Sequence, residues 1–179
     1  MRIISGILKG NIINTINHKN LRPTKNQIRE TLFHWLENKI QEKNCLDCFA
    51  GSGALGIEAI SRHAKHVTLI EKNKKIFHNI KNNIQRLNIQ NITIINIDTL
   101  HWLKKISKIQ YDIIFLDPPY YKNILQKTIF LIKKNKIIKK NGYIYIETFR
   151  YNEIQYPKNW IVKKKKNTKK ICYVLYSSC

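Results

Sequence analysis

From about residue 45 onward, apolar runs and segments of helical spacing take turns along the chain. Runs at 45–49, 66–71, 92–97, 111–117 and 142–148 read as strands, and the stretches 53–63, 72–87, 98–108 and 123–138 carry apolar residues at helical spacing. This alternation predicts an α/β protein with a mostly parallel sheet covered on both faces. Runs near 160–165 and 170–177, joined by Asn167-Thr168, follow each other with no helix between them, which predicts an antiparallel hairpin at one end of the sheet. Ahead of this core, residues 1–16 alternate loosely around Gly6 and Gly10 and suggest a short hairpin. Leu21-Arg22-Pro23 then opens a helix in which Thr24 and Gln27 form a capping box and Ile28, Leu32, Trp35 and Leu36 make one apolar face. The expected organisation is a single domain over 1–179, with an N-terminal hairpin and helix at 1–41 and a core at 42–179.

A chain of 179 residues is long enough to bury roughly 70% of its unfolded surface around one core. No apolar run approaches the roughly 20 residues that cross a bilayer, and the N-terminus has no signal-peptide apolar region, so a cytoplasmic location is expected. The formal charge of +22 points to a polyanionic partner. Lys, Asn and Ile, all abundant here, also share A/T-rich codons, so compositional drift is a second source of that charge. Cys45 and Cys48 match C-x-x-C, but three positions apart on a strand they face opposite sides and do not share a metal; no metal site is expected.

Chemistry is concentrated where the strands end. The first strand runs into Ala50-Gly51-Ser52-Gly53-Ala54-Leu55-Gly56 and then a helix, a loop whose glycines let backbone approach a ligand closely. The spacing alone also fits a nicotinamide dinucleotide site. Two features favour S-adenosylmethionine. Asp47 would attract the ammonium of a methionine moiety where a pyrophosphate would be repelled, and Glu71, ending the second strand, can accept both ribose hydroxyls. Asp98, ending the third, is placed to accept from an adenine amino group. Each acid taken singly reads equally as a loop carboxylate; three of the 11 acidic residues at successive strand ends do not.

The fourth strand delivers Asp117-Pro118-Pro119-Tyr120. Two prolines stiffen the turn and remove two backbone donors, leaving acceptors directed outward. Such a corner suits an exocyclic amine, whose lone pair is delocalised into its ring. When Asp117 and the Pro118 carbonyl each accept an N–H, the nitrogen can pyramidalise and aim its lone pair at a sulfonium methyl. Tyr120 offers a face for an extruded base. The plain alternative is a turn with a capping Asp and a core Tyr.

With these motifs in place, the chain resembles the class I, Rossmann-like methyltransferases. More closely, it is similar to the bacterial family that methylates guanine N2 at position 966 of 16S ribosomal RNA (the RsmD-type enzymes). The resemblance covers nearly the whole chain. It rests on Arg2-Ile3-Ile4-x-Gly6-x-x-x-Gly10, Leu21-Arg22-Pro23-Thr24, Arg29-Glu30-Thr31-Leu32-Phe33, the stretch Leu46 to Gly56, and Asp117 to Tyr120. It implies a sheet of about seven strands with the last antiparallel, and S-adenosylmethionine as cofactor. By the resemblance, Asp47, Gly51, Ser52 and Gly53 contact the methionine part, Glu71 the ribose, and Asp98 with Thr99 the adenine, and Phe49, Ala50 and Gly56 belong to the same cofactor site. It also implies that Asp117, Pro118, Pro119 and Tyr120 hold the guanine amine. The implied partner is 16S rRNA within the small ribosomal subunit or an assembly intermediate; a monomer is the expected state, though no residue here bears on it.

Arg2, Lys9, Arg22, Lys25 and Arg29 gather near the N-terminal motifs and are the expected RNA contacts, although Arg29 could equally pair with Glu30 or cap a helix. Lys163 to Lys166 with Lys169 and Lys170 crowd the C-terminal hairpin, as a phosphate track or as drift-enriched surface. His63, His66 and His101 read as surface or packing residues, and no general base stands out. Two rival readings remain at this level. One is methylation of adenine N6 or protein glutamine N5, which usually has Asn where Asp117 stands. The other is a non-catalytic RNA-binding assembly factor.

Overall fold

The computed structural model describes residues 1–16, 26–106, 109–119, 122–150 and 153–179. Its elements in chain order are α1 (Asn26–Trp35), β1 (Asn44–Asp47), α2 (Ala54–Ser61), β2 (His66–Ile70), α3 (Lys74–Arg86), β3 (Ile92–Ile95), α4 (Thr99–Lys105), β4 (Tyr111–Leu116), α5 (Lys122–Lys134), β5 (Ile138–Phe149), β6 (Trp160–Asn167) and β7 (Ile171–Ser178). The strands form one sheet in the order β3-β2-β1-β4-β5-β7-β6. The first five are parallel, and β7 runs antiparallel to both β5 and β6. This is the α/β, Rossmann-like arrangement expected, with the antiparallel pair at one end. The order reverses between β1 and β4, so the crevice of the sheet opens beside the carboxyl ends of those two strands.

Side-chain alternation divides the core in two. One layer packs Leu32 and Phe33 of α1, Leu55 and Ile57 of α2 and Ile76 and Ile80 of α3 against Cys45, Val67, Phe115, Tyr145 and Tyr173. The other packs Leu103 of α4 and Leu125, Ile129 and Ile132 of α5 against Leu46, Cys48, Ile114, Leu116 and Val174. Cys45 and Cys48 therefore face opposite layers, as their strand spacing requires. Among the described residues, no helix is long and apolar enough to cross a membrane.

Two element boundaries depart from expectation for local reasons. The stretch predicted as helix to 138 ends at Lys134, because Lys136 adopts φ 51 and the Ile137 N–H turns back to the Ile132 carbonyl (3.1 Å), a left-handed helix stop. β5 then begins at Ile138 rather than 142. Ile138 pairs with Tyr111, Asn141 takes φ 62, and the register shifts before Ile113 meets Tyr143.

The N-terminal segment is a hairpin with one antiparallel bridge, Arg2 to Ile12. A buried carboxylate holds it down. Glu58 of α2, 0% exposed, accepts the Ile4 N–H (2.8 Å) and Ser5 N–H (3.0 Å), while Arg62 donates to it at 2.9 Å. Ser61 adds three bonds, its Oγ accepting from the Leu8 N–H (3.0 Å) and donating to the Ser5 carbonyl (2.5 Å), and its own carbonyl accepting from the Ile7 N–H (2.8 Å). Arg29 corrects an expectation. It is 0% exposed, donates to the Arg2 carbonyl (2.8 Å) and Asn26 Oδ1 (2.9 Å), and stands 3.9 Å from Glu58. Burial pulls its guanidinium pKa down, against the opposing pull of Glu58. Arg29 thus fastens α1 to the hairpin and does not present a cation to RNA. Arg2 and Lys9 are exposed, whereas Arg22, Lys25 and the proposed capping box at Thr24 lie outside the described residues.

The docking explains Gly6. At φ +85 it brings backbone against α2, and a Cβ there would fall 1.7 Å from the Ser61 carbonyl oxygen. Gly10 has a similar φ, +86, but nothing within 4 Å of an added Cβ. Gly10→Ala should therefore cost only the left-handed strain, about 1–2 kcal/mol. Gly6→Ala should cost about 3 kcal/mol or more, since the hairpin must lift from Glu58 and Ser61. Urea unfolding of the two variants checks this; equal losses would show that the contact with Ser61 is not what Gly6 serves.

Candidate active site

The site is assembled by register. Asp47, the last residue of β1, aligns with Leu69 of β2 and Phe115 of β4. Glu71 and Asp117 therefore lie two positions beyond its neighbours on either side, about 8 Å away by strand spacing and rise. Parity places Asp47 and Asp117 on the layer of α1, α2 and α3, with Cys45 and Phe115. The three carboxylates feel one another: Asp47 is only 1% exposed, and burial, followed by Asp117 and Glu71, pushes its pKa up to about 7, against the lowering effect of the Phe49 and Gly56 N–H groups.

Asp47 sits beneath the glycine loop, accepting from the Phe49 N–H at 3.3 Å. Gly51 (φ +53) and Gly53 (φ +77) supply the left-handed turns, and the Gly53 N–H closes onto the Ala50 carbonyl at 2.7 Å. The glycines divide their work. An added Cβ at Gly51 would meet nothing nearer than the Phe49 carbonyl at 3.8 Å, so this backbone faces open space. At Gly53 it would press on Ile80 (3.2 Å), and at Gly56 on Leu69 (2.3 Å) and Val67 (3.1 Å), so these two let α2 lie close to α3 and β2. Ala50 and Ser52 are buried in the turn and Phe49 is half-buried.

Glu71 braces the loop from the neighbouring strand. Its Oε2 accepts the Gly51 N–H (3.1 Å) and its Oε1 the Asn73 N–H (2.7 Å). Both carboxylate oxygens thus hold backbone at the end of β2 and in the glycine loop. Asp98 is an exposed N-cap of α4, its Oδ1 accepting from Leu100 (3.0 Å) and His101 (3.1 Å). Thr99 turns inward, its hydroxyl donating to the Cys48 carbonyl and tying the start of α4 to the end of β1. Pro118 is buried and Pro119 half-buried next to half-buried Asp117; Tyr120 lies outside the described residues.

This geometry coincides with a family match. The family model described as "Conserved hypothetical protein 95" matches residues 1–177. The chain belongs to this family. Among its curated relatives, ribosomal RNA small subunit methyltransferase D of Buchnera aphidicola (subsp. Acyrthosiphon pisum) is 56% identical over 98% of this chain and 93% of its own length. The protein of that description from Escherichia coli K12 is 36% identical over 98% of this chain and 89% of its own. Among solved structures, yhhF from Escherichia coli superposes with a TM-score of 0.92 at 36% identity, covering 99% of this chain and 97% of that one.

Beyond the motifs, the structure adds Glu147, which the sequence reading passed over. It lies in β5, one strand from Asp117, on the same layer, 3% exposed, and accepts from the Tyr145 hydroxyl at 3.2 Å. Burial raises the Tyr145 pKa, and Glu147 and then Asp117 raise it further, so both carboxylates reach that ring. Its signal in the sequence was a lone acid at the end of an apolar run, in the place that Asp47, Glu71 and Asp98 occupy on their strands.

The raised pKa of Asp47 has a testable sign. Its folded value, about 7, exceeds the ordinary 3.8, so the folded state holds a proton that the unfolded state has lost. Its contribution is intact below about pH 4 and falls away as pH rises to 7, by up to about 4 kcal/mol. Asp47→Asn should lose this slope; parallel stability-versus-pH curves for the two proteins would refute the assignment.

Proposed function

We propose that the protein transfers a methyl group from S-adenosylmethionine to the exocyclic N2 of a guanine in 16S ribosomal RNA, position 966 by family resemblance, within the small subunit or an assembly intermediate. The observation carrying this reading is the acceptor corner Asp117-Pro118-Pro119 beside a carboxylate-rich glycine loop at the reversal of the sheet. The names of the relatives, which specify small-subunit ribosomal RNA, support the substrate class.

The residues fit the cofactor. Open space over Gly51 admits a ligand against backbone, and Asp47, whose charge is costly where it stands, gains from a cation above the loop. Glu71 holds the loop, and a carboxylate at that strand end is the kind of acceptor that ribose hydroxyls require. S-adenosylmethionine supplies an electrophilic methyl on a sulfonium. Asp117 and the Pro118 carbonyl accept the two N–H bonds of the guanine amine and draw its lone pair out of conjugation. With the cofactor bound, its sulfonium methyl would be the group that this lone pair meets, and the proton displaced from the amine would pass to solvent. Asp117 stabilises the positive charge that develops on nitrogen. Glutamine or adenine substrates would use the same corner, and product analysis separates them.

Small-subunit particles from a strain lacking the modification, incubated with labelled cofactor, should yield N2-methylguanosine on nucleoside analysis; a methyl on adenine N6 or in protein would overturn the substrate assignment. Asp117→Ala should lower kcat about a hundredfold or more with cofactor affinity retained. A calorimetric titration without heat for the wild type would remove the enzyme reading altogether. Cofactor affinity should also rise with pH through about 7 as Asp47 ionises, with proton release on binding near pH 6 that Asp47→Asn abolishes.

A further inference from the structure

The lysines of the C-terminal hairpin are arranged by a fault in the strand. β6 is the edge of the sheet, and every residue from Ile161 to Asn167 is exposed. Directly opposed residues of an antiparallel pair share a face. Val162 opposes Tyr176, which packs on the α4 and α5 layer. Strict alternation would carry Lys164 and Lys166 onto that same face. Instead the register shifts between Val162 and Lys164, so that Lys164 opposes Leu175 and Lys166 opposes Tyr173, both on the α1 layer. The irregularity re-aims two lysines to the other side of the sheet.

That side is the one carrying Asp117. Tyr173 aligns with Glu147, and Leu116 aligns with Ile146, so Asp117, Glu147, Tyr173 and Lys166 form one row across β4, β5, β7 and β6. Three strand spacings separate the ends of the row, roughly 14 Å. The far end of β6 is also at the mouth of the crevice. The Arg150 N–H donates to the Lys170 carbonyl (2.9 Å) at the end of β5, bringing the Lys169-Lys170 turn to the same rim. Among the described residues, none of these lysines is in an ion pair.

Resting on the RNA-methylating reading, we propose that Lys164 and Lys166 form a phosphate-binding rail that holds the RNA backbone flanking the target base, with the bulge setting the face on which it lies. Lysines on an edge strand also discourage pairing with other chains. That role needs charge somewhere on the strand and gives no reason to turn two side chains toward the Asp117 face.

The test compares Lys164→Gln/Lys166→Gln with a charge-matched control, Lys133→Gln/Lys134→Gln, in the last turn of α5 at the opposite end of the sheet. Binding of a fluorescent oligoribonucleotide from the small-subunit RNA is followed by anisotropy across salt concentrations, with melting curves confirming that both variants fold. The rail variant should bind about tenfold more weakly at 0.1 M salt, and its slope of log affinity against log salt should shrink by about 1.5, from two lost phosphate contacts. The control should match the wild type. Equal losses in both variants, or an unchanged slope in the rail variant, would overturn the rail. Methyl transfer by wild type to small-subunit particles is read in parallel. Its absence would sink the proposed reaction, whereas its presence with an unchanged slope would sink only the rail.

Discussion

The site depends on the cost of placing negative charge in a protein interior. The reversal between β1 and β4 brings Asp47, Glu71 and Asp117 to adjoining strand ends, and burial makes Asp47, the most enclosed of them, costly to ionise. A cluster of this kind is stabilised by donors and by cations. The protein supplies the donors from its own backbone: Phe49 and Gly56 to Asp47, Gly51 and Asn73 to Glu71. These bonds fix the glycine loop, so the carboxylates shape the cradle as well as charging it. What backbone does not supply is a full positive charge, and a ligand carrying one meets a surface already organised for it.

A second buried carboxylate organises the other end of α2. Glu58 lies in the helix Ala54–Ser61, whose residues are all buried, and its two oxygens gather the hairpin, Arg62 and Arg29. Removing one partner of such a group leaves charge without compensation, which is why Gly6 and Arg29, distant in sequence, serve one purpose. Asn83 of α3 acts in the same direction, accepting the Asn14 N–H and donating to the Asn14 carbonyl. The N-terminal segment is thereby part of the folded core's hydrogen bonding, not an appendage attached by one contact.

The strands, the antiparallel pair at one end and the glycine loop after β1 were legible because period-two and helical patterns act locally and because glycine restricts or frees backbone wherever it stands. Arg29 was misread for a physical reason: an arginine in a lysine-rich chain looks selected for an anion, and the anion here is internal. The clue was Glu58, one acid in an apolar helix that must find a cation. The end of α5 and the early start of β5 were hidden because Lys136 and Asn141 enter left-handed conformations that their residue types permit without announcing. Glu147 escaped because pairing, not spacing, puts it beside Asp117. The face of Lys164 and Lys166 was beyond sequence reasoning altogether, since a one-residue irregularity inverts it.

Charge distribution then distinguishes attraction from recognition. The chain carries 33 basic and 11 acidic residues, and four of those acids, Asp47, Glu71, Asp117 and Glu147, stand at strand ends around one crevice. On the proposed reading, a polyanion drawn by the long-range field of such a protein is repelled at the acidic floor, so its backbone settles on the rim and only an uncharged group enters. A nucleobase is uncharged, and its amine offers N–H donors to the carboxylates that turn phosphates away. On that reading the floor selects by sign before any shape is read, and the restriction that Pro118 and Pro119 place on the backbone holds the acceptors in position for a planar amine.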